Sequence, residues 1–354
     1  MSPQEKIRVG IHRRQGSFSD RWITYCVAKG LEVRILDLLA SDAVDQSKNC
    51  DIVLWHWAHD DARDWLVARN VIKALEVLGK QVFPNYKTCS HYDDKIAQHH
   101  LFRALSVPAV PTWIWLDKLE AHSWVQEASW PKVFKVRRGA GSANVRLVKS
   151  RREADRIIRQ AFGRGFSTSV PLVSDFKNRA LRVSSFSDLW IKIKRRVFNL
   201  SAAQRRGKFT VREGGYVYFQ EFLPDNNFDT RVTIIGNRAF GYTRRNRPND
   251  FRASGSGRPD YDRTRVDPQC VRLAFRVAEQ FGADSIAFDF LFDRKRAPLV
   301  SEVSYCYVSS MVQACGGYWD RDGTWTPSNS WPEELIIDDQ LKIYASRTGG
   351  ESRV

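Results

Sequence analysis

Residues 285–305 read SIAFDFLFDRKRAPLVSEVSY, and each of two apolar runs in this stretch delivers one carboxylate, Asp289 after IAF and Glu302 after PLV. Apolar runs of this length joined by a charged turn, DRKR, predict two adjacent buried strands. Both carboxylates then point into one place. Carboxylates forced together at the end of a buried sheet repel unless a cation lies between them, and hard oxygen ligands suit Mg²⁺, which commonly arrives with nucleotide phosphates. The alternative for this stretch alone is a solvated hairpin whose carboxylates never meet.

Upstream, residues 6–88 alternate strand and helix. KIRVGI, EVRILDL, DIVLWHW and KQVFPN have strand character, while DRWITYCVAKGL and ARDWLVARNVIKALEVLG have helical periodicity. Strands alternating with helices imply a small parallel sheet. The loop HRRQGSFSDRW after the first strand does not match GxGxxG, so it carries no dinucleotide fingerprint. A second unit begins near Cys89. It holds a helix over 93–105, an extended link VPAVPT, a strand WPKVFKV leading into RRGAGSANVRLV, and a helix SRREADRIIRQAF. The stretch from about 163 to 215 looks like a basic insertion. Beyond it come YVYFQEFL, a hairpin DTRVTIIGNRAFGYTRR turning at Gly236 and Asn237, and a helix PQCVRLAFRVAEQFG that precedes the two carboxylate strands. The expected division is 1–88, 89–219 and 220–354.

The 354 residues are 43% hydrophobic and 12% aromatic, enough to bury a sizeable core. No stretch has signal-peptide or membrane-span character, so a cytoplasmic protein is expected. The six cysteines form no CxxC pair or zinc spacing and are expected to be reduced core fillers. The formal charge of +16 favours polyanionic partners. Much of the excess lies between Arg137 and Arg265, while the first ninety residues are nearly balanced. That distribution suits a phosphate-handling site as well as a nucleic-acid groove. Nucleic acid is not the expected partner, because the chain has no helix-turn-helix punctuation, zinc spacing or RNP-like aromatic motif.

Four features stand in order. They are a lysine in a helix (DDKIAQHHLFRAL), a lysine ending a strand before a small-residue loop (PKVFKVRRGAGSA), an acidic apolar strand (YVYFQEFLPDNNFDTRV) and the carboxylate pair. In this order, over roughly residues 85–309, the chain resembles the ATP-grasp superfamily, especially its RimK-like branch of carboxylate-amine ligases. The resemblance implies an α/β architecture: an ATP-grasp fold preceded by a small Rossmann-like parallel-sheet domain. It implies ATP and Mg²⁺ as cofactors, and a small-molecule carboxylate and an amine as substrates.

Residue by residue, Lys95 and Lys135 are similar to the family's two phosphate lysines, each an ammonium point charge. Gly139, Ala140, Gly141, Ser142 and Ala143 form a loop with little side-chain bulk, whose backbone N–H groups can close over phosphate oxygens. Glu221, or the main chain of Phe222 and Leu223, corresponds to the hinge that reads adenine, and Asp229 to the acidic residue for the ribose hydroxyls. Arg252, in the stretch RRNRPNDFRASGSG, is placed to neutralise a transferring phosphoryl group, with Arg244, Arg245 and Arg247 as candidates for the same field. Asp289, Glu302 and Ser304 correspond to the metal ligands. Here the chain departs from the family, which usually has Glu-x-Asn where this sequence has Glu302-Val303-Ser304. The departure puts the second metal position in doubt and leaves an ATP-binding pseudoenzyme as the alternative to a ligase. A nucleic-acid-binding protein is the further alternative.

The tail EVSYCYVSSMVQACGGYWDRDGTW resembles a subgroup of ATP-grasp proteins associated with bacterial surface polysaccharides, which implies uronic-acid sugars and amino acids as substrates. Within the insertion, SDLWIKIKRRVFNL places apolar residues at near-helical spacing among basic ones. It reads as a solvated amphipathic helix, as a weak contact with an anionic membrane, or as a dock for an acidic acceptor or nucleic acid.

Overall fold

The computed structural model describes residues 6–57, 61–139, 144–167, 212–247, 250–253 and 259–351. Its chain divides into two compact units, Met1–Thr112 with Gln220–Val354, and Trp113–Phe219. Residues 89–112 therefore lie in the same unit as the N-terminal sheet. The amphipathic stretch 189–200 and most of the expected insertion fall outside the described residues.

The first unit opens with β1 (Arg8–His12), α1 (Phe18–Ala28), β2 (Glu32–Leu36), α2 (Ala43–Ser47), β3 (Ile52–Leu54), α3 (Ala62–Val77) and β4 (Gln81–Phe83). The four strands form a parallel sheet in the order β2-β1-β3-β4. Ser17 caps α1 by accepting from the Ser19 amide at 3.2 Å. The spacing of Phe18, Trp22 and Cys26 puts all three on the buried face of that helix. A side chain at Gly10 would meet Leu36 and Cys50 at 2.6 and 2.8 Å, so β1 needs glycine there for its close packing. β3 is shorter than the run DIVLWHW suggests. Trp55 N–H makes the last bond to β4, donating to the Phe83 carbonyl at 2.9 Å, and Trp55 and Trp57 fill the core as buried rings.

Two helices follow, α4 (Tyr86–Cys89) and α5 (Lys95–Ala104). The link VPAVPT then runs beside the far carboxylate strand, with Val110 N–H donating to the Val300 carbonyl at 3.0 Å and Val300 N–H to Pro108 at 2.8 Å.

The second unit contains β5 (Thr112–Trp115), α6 (Lys118–Glu127), β6 (Lys132–Lys135), β7 (Arg146–Val148), α7 (Arg151–Ala161), β8 (Phe166–Ser167), β9 (Arg212–Glu213) and β10 (Val217–Glu221). Its main sheet has the order β5-β10-β6-β7. Ala121 and Val125 of α6 and Ala154, Ile157 and Ile158 of α7 pack over Phe134 and Phe219 of that sheet. His122 Nδ1 lies 2.8 Å from Asp155 and ties the two helices together.

The first unit resumes with β11 (Phe228–Ile235) and β12 (Arg238–Arg245), the expected hairpin, in which Gly236 adopts φ 55° in the turn. There follow β13 (Pro259–Asp260), α8 (Pro268–Phe281), β14 (Ser285–Phe292), β15 (Pro298–Ser304), α9 (Ser309–Gln313), β16 (Gly317–Trp319), β17 (Trp325–Pro327) and α10 (Pro332–Glu351). The sheet runs β15-β14-β11-β12-β16-β17, with β13 beside β12. The buried face of α8, including Val271, Ala274, Phe275 and Ala278, covers Val232, Ile234, Phe288 and Phe290. Gly282 ends that helix at φ 61°, a C-cap conformation that favours glycine. Cys26, Cys50, Cys89, Cys270 and Cys315 are buried, as core fillers. Among the described residues, no helix is long and apolar enough to cross a membrane.

Candidate active site

Strand register assembles the charged groups of the first unit. Across β15, β14, β11 and β12 the paired positions are Glu302, Asp289, Arg231 and Tyr242. Directly opposed residues of antiparallel strands share a face, and so do residues two apart on one strand. Asp229 therefore joins Arg231, and its own partner across β11 and β12 is Arg244. A β-bulge between Asp289 and Phe290 interrupts the β14–β15 ladder at this point. Bulges re-aim side chains at functional sites.

The carboxylates on this face are bound by side-chain cations. Arg231 donates to both oxygens of Asp289, at 2.6 and 2.7 Å. Arg244 donates to both oxygens of Asp229, at 2.8 and 2.6 Å, and lies 2.9 Å from Asp289. All four groups are deeply placed, with side-chain exposures of 8–16%. Burial pushes the Asp289 carboxyl up, but the two guanidiniums outweigh it and hold Asp289 well below the usual carboxylate range. Asp229 moves the other way, because burial and the neighbouring Asp289 charge exceed the pull of Arg244.

Glu302 has a separate partner. Lys95 Nζ sits 3.2 Å from Glu302 Oε1. Lys95 opens α5, where Asp94 caps the helix by accepting from Ala97 N–H at 3.1 Å. Gln98, one turn later, donates to the Val303 carbonyl at 2.9 Å and accepts from Val303 N–H at 3.3 Å, clamping α5 to β15 beside Glu302. The same amide donates to the His91 carbonyl at 3.1 Å.

The His91 ring packs on Phe281, and neither ring nitrogen has a hydrogen-bond partner among the described residues. Burial pushes its pKa down from 6.5 to about 4. The unfolded chain therefore takes up this proton first. The neutral ring's contribution is complete above pH 6.5 and is lost as pH falls from 6.5 toward 4, a total of about 3 kcal/mol. His91→Leu should flatten that part of the profile when urea midpoints are compared between pH 7 and 4. An unchanged difference between wild type and variant across this range would remove His91 as its source.

The remaining expected site residues are placed as follows. The Ser304 hydroxyl is turned onto its own chain, donating to the Cys306 carbonyl at 2.8 Å and accepting from Cys306 N–H at 3.2 Å. Arg252 grips Asp250 through Nε and Nη2 at 2.6–3.0 Å, and this partner lowers the Asp250 pKa. Glu221 ends β10 with its N–H donating to Pro111 at 2.8 Å. The ring of Phe222 meets Phe251 edge-on at 6.0 Å, and the Leu223 carbonyl accepts from Asn226. Arg245 points away on the exposed side of β12. In the second unit, Lys135 ends β6 and Gly139 has φ 120°. Arg137 and Arg138 next to them converge on buried Glu213, which also accepts from Tyr216 at 2.9 Å. Gly141 and Ser142 lie outside the described residues.

Sequence reading does not select Arg231. The signal for it is DTR, an acidic and a basic residue two apart on one strand, but its weight appears only once β11 is known to lie between β12 and β14. The positive charge that sequence reading assigns to Mg²⁺ is supplied here by Arg231, Arg244 and Lys95. Among the described residues, no three His, Cys, Asp or Glu side chains are grouped to hold a metal ion. The chemistry of the side chains fits a hard divalent cation, since Asp289 and Glu302 are carboxylates at paired positions on one face. Binding there requires the guanidiniums to leave the oxygens of Asp289 for another anion.

Residues 214–314 match the family model described as a RimK-like ATP-grasp domain. The comparison with curated proteins gives no match. Among solved structures, the chain is similar to a RimK domain ATP-grasp protein from Sphaerobacter thermophilus, with 15% identity, 94% of this chain and 98% of that one covered, and a TM-score of 0.55. It is similar to a D-alanine–D-alanine ligase from Bacillus anthracis, with 14% identity, 96% and 99% covered, and a TM-score of 0.54. A biotin carboxylase from Campylobacter jejuni, in a complex with βγ-ATP, shares 12% identity over 95% of this chain and 71% of that one, with a TM-score of 0.57. Together with the sheets and helices above, these likenesses give the chain the ATP-grasp fold, with a RimK-like ATP-grasp domain at residues 214–314.

Proposed function

We propose that the protein is an ATP-dependent carboxylate-amine ligase that works through an acyl phosphate. The observation that carries this reading is the single sheet face bearing Glu302, Asp289, Arg231 and Arg244, inside the segment that matches the RimK-like domain, with Lys95 of α5 paired to Glu302. Joining a carboxylate to an amine requires a better leaving group than oxide. In the proposed reaction a carboxylate oxygen attacks the γ-phosphorus of ATP, the bond to ADP breaks, and an acyl phosphate forms. The amine then attacks the acyl carbon, phosphate leaves with its bonding electrons, and the amine nitrogen gives up a proton.

Both steps spread negative charge over phosphoryl and carboxyl oxygens. Planar guanidiniums match such groups through two hydrogen bonds, which is the role proposed for Arg231, Arg244 and Arg252. Lys95 and, in the second unit, Lys135 are proposed to bind nucleotide phosphates, with the backbone of Gly139, Gly141 and Ser142. Glu221, Phe222 and Leu223 are proposed for the adenine edge and Asp229 for the ribose. Asp289 and Glu302, with Ser304 as a third ligand once its hydroxyl leaves Cys306, would hold Mg²⁺, which would supply charge neutralisation of the phosphates.

The test is a matrix of carboxylates against amines, with uronic-acid sugars and amino acids first. Equal release of ADP and free phosphate, dependent on both partners and accompanied by a product at the summed mass less water, is expected. ADP without free phosphate from an active pairing would indicate a kinase instead. The turn of Ser304 onto Cys306 favours one second reading, an ATP-binding pseudoenzyme. That reading predicts thermal protection by ATP with no phosphate from any pairing.

A further inference from the structure

In the second unit a buried carboxylate holds the chain between two residues proposed for nucleotide phosphate, Lys135 at the end of β6 and Gly139. Between them Val136 and Arg138 are buried and Arg137 is half-buried. Glu213 is only 3% exposed. Its Oε2 accepts from Arg137 Nε at 3.3 Å and from the Tyr216 hydroxyl at 2.9 Å, and its Oε1 accepts from Arg138 Nε. The Tyr216 oxygen in turn accepts from the Arg137 backbone N–H at 2.6 Å. Burial and the Glu213 charge push the Tyr216 pKa up, so the phenol keeps the proton it donates. The carboxylate is also fixed from its own side. β9 pairs with β8 in the register Phe166–Glu213, and the Phe166 ring packs on Phe134 of β6 at 4.9 Å. Gly215 N–H donates to the Ala161 carbonyl at the end of α7 at 2.9 Å, and a side chain at Gly214 would meet that carbonyl at 2.8 Å.

We infer that Glu213 and Tyr216 are positioning residues for nucleotide phosphate, a bracket that sets the course of the chain from Lys135 to Gly139. The inference rests on the ligase reading, in which Lys135 and Gly139 meet the phosphates. The bracket grips a backbone N–H as well as two guanidiniums, so it fixes the path of the chain and not only a pair of charges. A negative charge beside a segment that binds phosphate weakens the attraction for the ligand. Its presence here is accounted for by the geometry it imposes, and two guanidiniums on one carboxylate still leave the cluster net positive. A group held in this way meets its ligand without first being ordered, which is the advantage of a supporting layer behind a binding residue.

The experiment is calorimetric titration of the full chain with ATP in the presence of Mg²⁺, with a thermal melt on each variant. Glu213→Gln and Tyr216→Phe are expected to weaken ATP binding about tenfold and about threefold, as loss of a group that orients a ligand-binding residue does. The direction of the change separates the roles. If Glu213 were only a neighbouring charge, its neutral replacement would bind ATP more tightly. If it were only a packing element, the melt would fall while the folded protein kept its affinity. Lys135→Met supplies the reference, and on that background Glu213→Gln should cost less than about threefold, because the group it positions is gone. Unchanged or tighter ATP binding by folded Glu213→Gln and Tyr216→Phe overturns the bracket, and so does full additivity of Glu213→Gln with Lys135→Met. Should Glu213→Gln fail to fold, Tyr216→Phe decides alone, since it keeps the ring and every charge. ATP binding that is absent from the wild type, or indifferent to Lys135→Met, is a different failure: it overturns the placement of phosphate at Lys135, and the bracket with it.

Discussion

Arg244→Met is expected to remove about 3–5 kcal/mol of folding stability, seen as a large fall in the urea midpoint with little change in slope. Arg244 is 6% exposed and serves two carboxylates at once, Asp229 at 2.6 Å and Asp289 at 2.9 Å. Removing it leaves two buried acids with Arg231 alone. Ordinary buried ion pairs are weak evidence of net stabilisation, but breaking one by deleting a single partner is costly because the other charge stays in a poorly polarisable place. The next residue provides the control. Arg245 lies on the opposite face of β12, where its side chain is 62% exposed and 3.9 Å from Asp260. Arg245→Met should therefore cost under about 1 kcal/mol. Adding Asp229→Leu to Arg244→Met should recover much of the loss, since it removes the carboxylate left most exposed to burial cost. Equal effects of Arg244→Met and Arg245→Met would show that the cluster is hydrated in solution and carries no such penalty.

The contrast between these neighbouring arginines also marks where sequence reading stops. Local signals locate β14 and β15, the Gly236-Asn237 turn, α8, and the alternating N-terminal strands and helices. Each rests on periodicity or turn chemistry within a short window. The partners of the charges do not. Arg231 meets Asp289 across 58 residues of sequence, and Lys95 comes from α5, far upstream of Glu302. Nothing in RRNRP says that Arg244 faces inward and Arg245 outward until β12 is in register with β11. Ser304 illustrates the same limit at short range. Its place after Glu302 suggested a ligand, while its hydroxyl closes a local turn on Cys306. The stretch WIWLDKLEAHSWVQE, which forms β5 and α6, mixes strand-forming tryptophans with helix formers and gives no clean period.

Glu302→Gln and Lys95→Met are each expected to lower turnover by about two orders of magnitude or more, with a stability cost of only about 1–3 kcal/mol. Gln98 already makes two hydrogen bonds to the Val303 backbone, so the α5–β15 junction does not need the ion pair next to it. Glu302 is one-third exposed and Lys95 almost completely buried, so the pair presents one carboxylate edge outward over a fixed ammonium. That arrangement suits a site in which Lys95 transfers to nucleotide phosphate and Glu302 becomes available as an oxygen ligand. The exchange Lys95→Glu/Glu302→Lys separates this role from a structural one, because it keeps an ion pair between the same two positions while reversing the charges offered to ATP. If the pair merely staples α5 to β15, the exchanged protein should regain both melting temperature and turnover. If the polarity serves phosphate and metal, the melt recovers, release of ADP and phosphate stays at least about a hundredfold down, and ATP no longer raises the melting temperature.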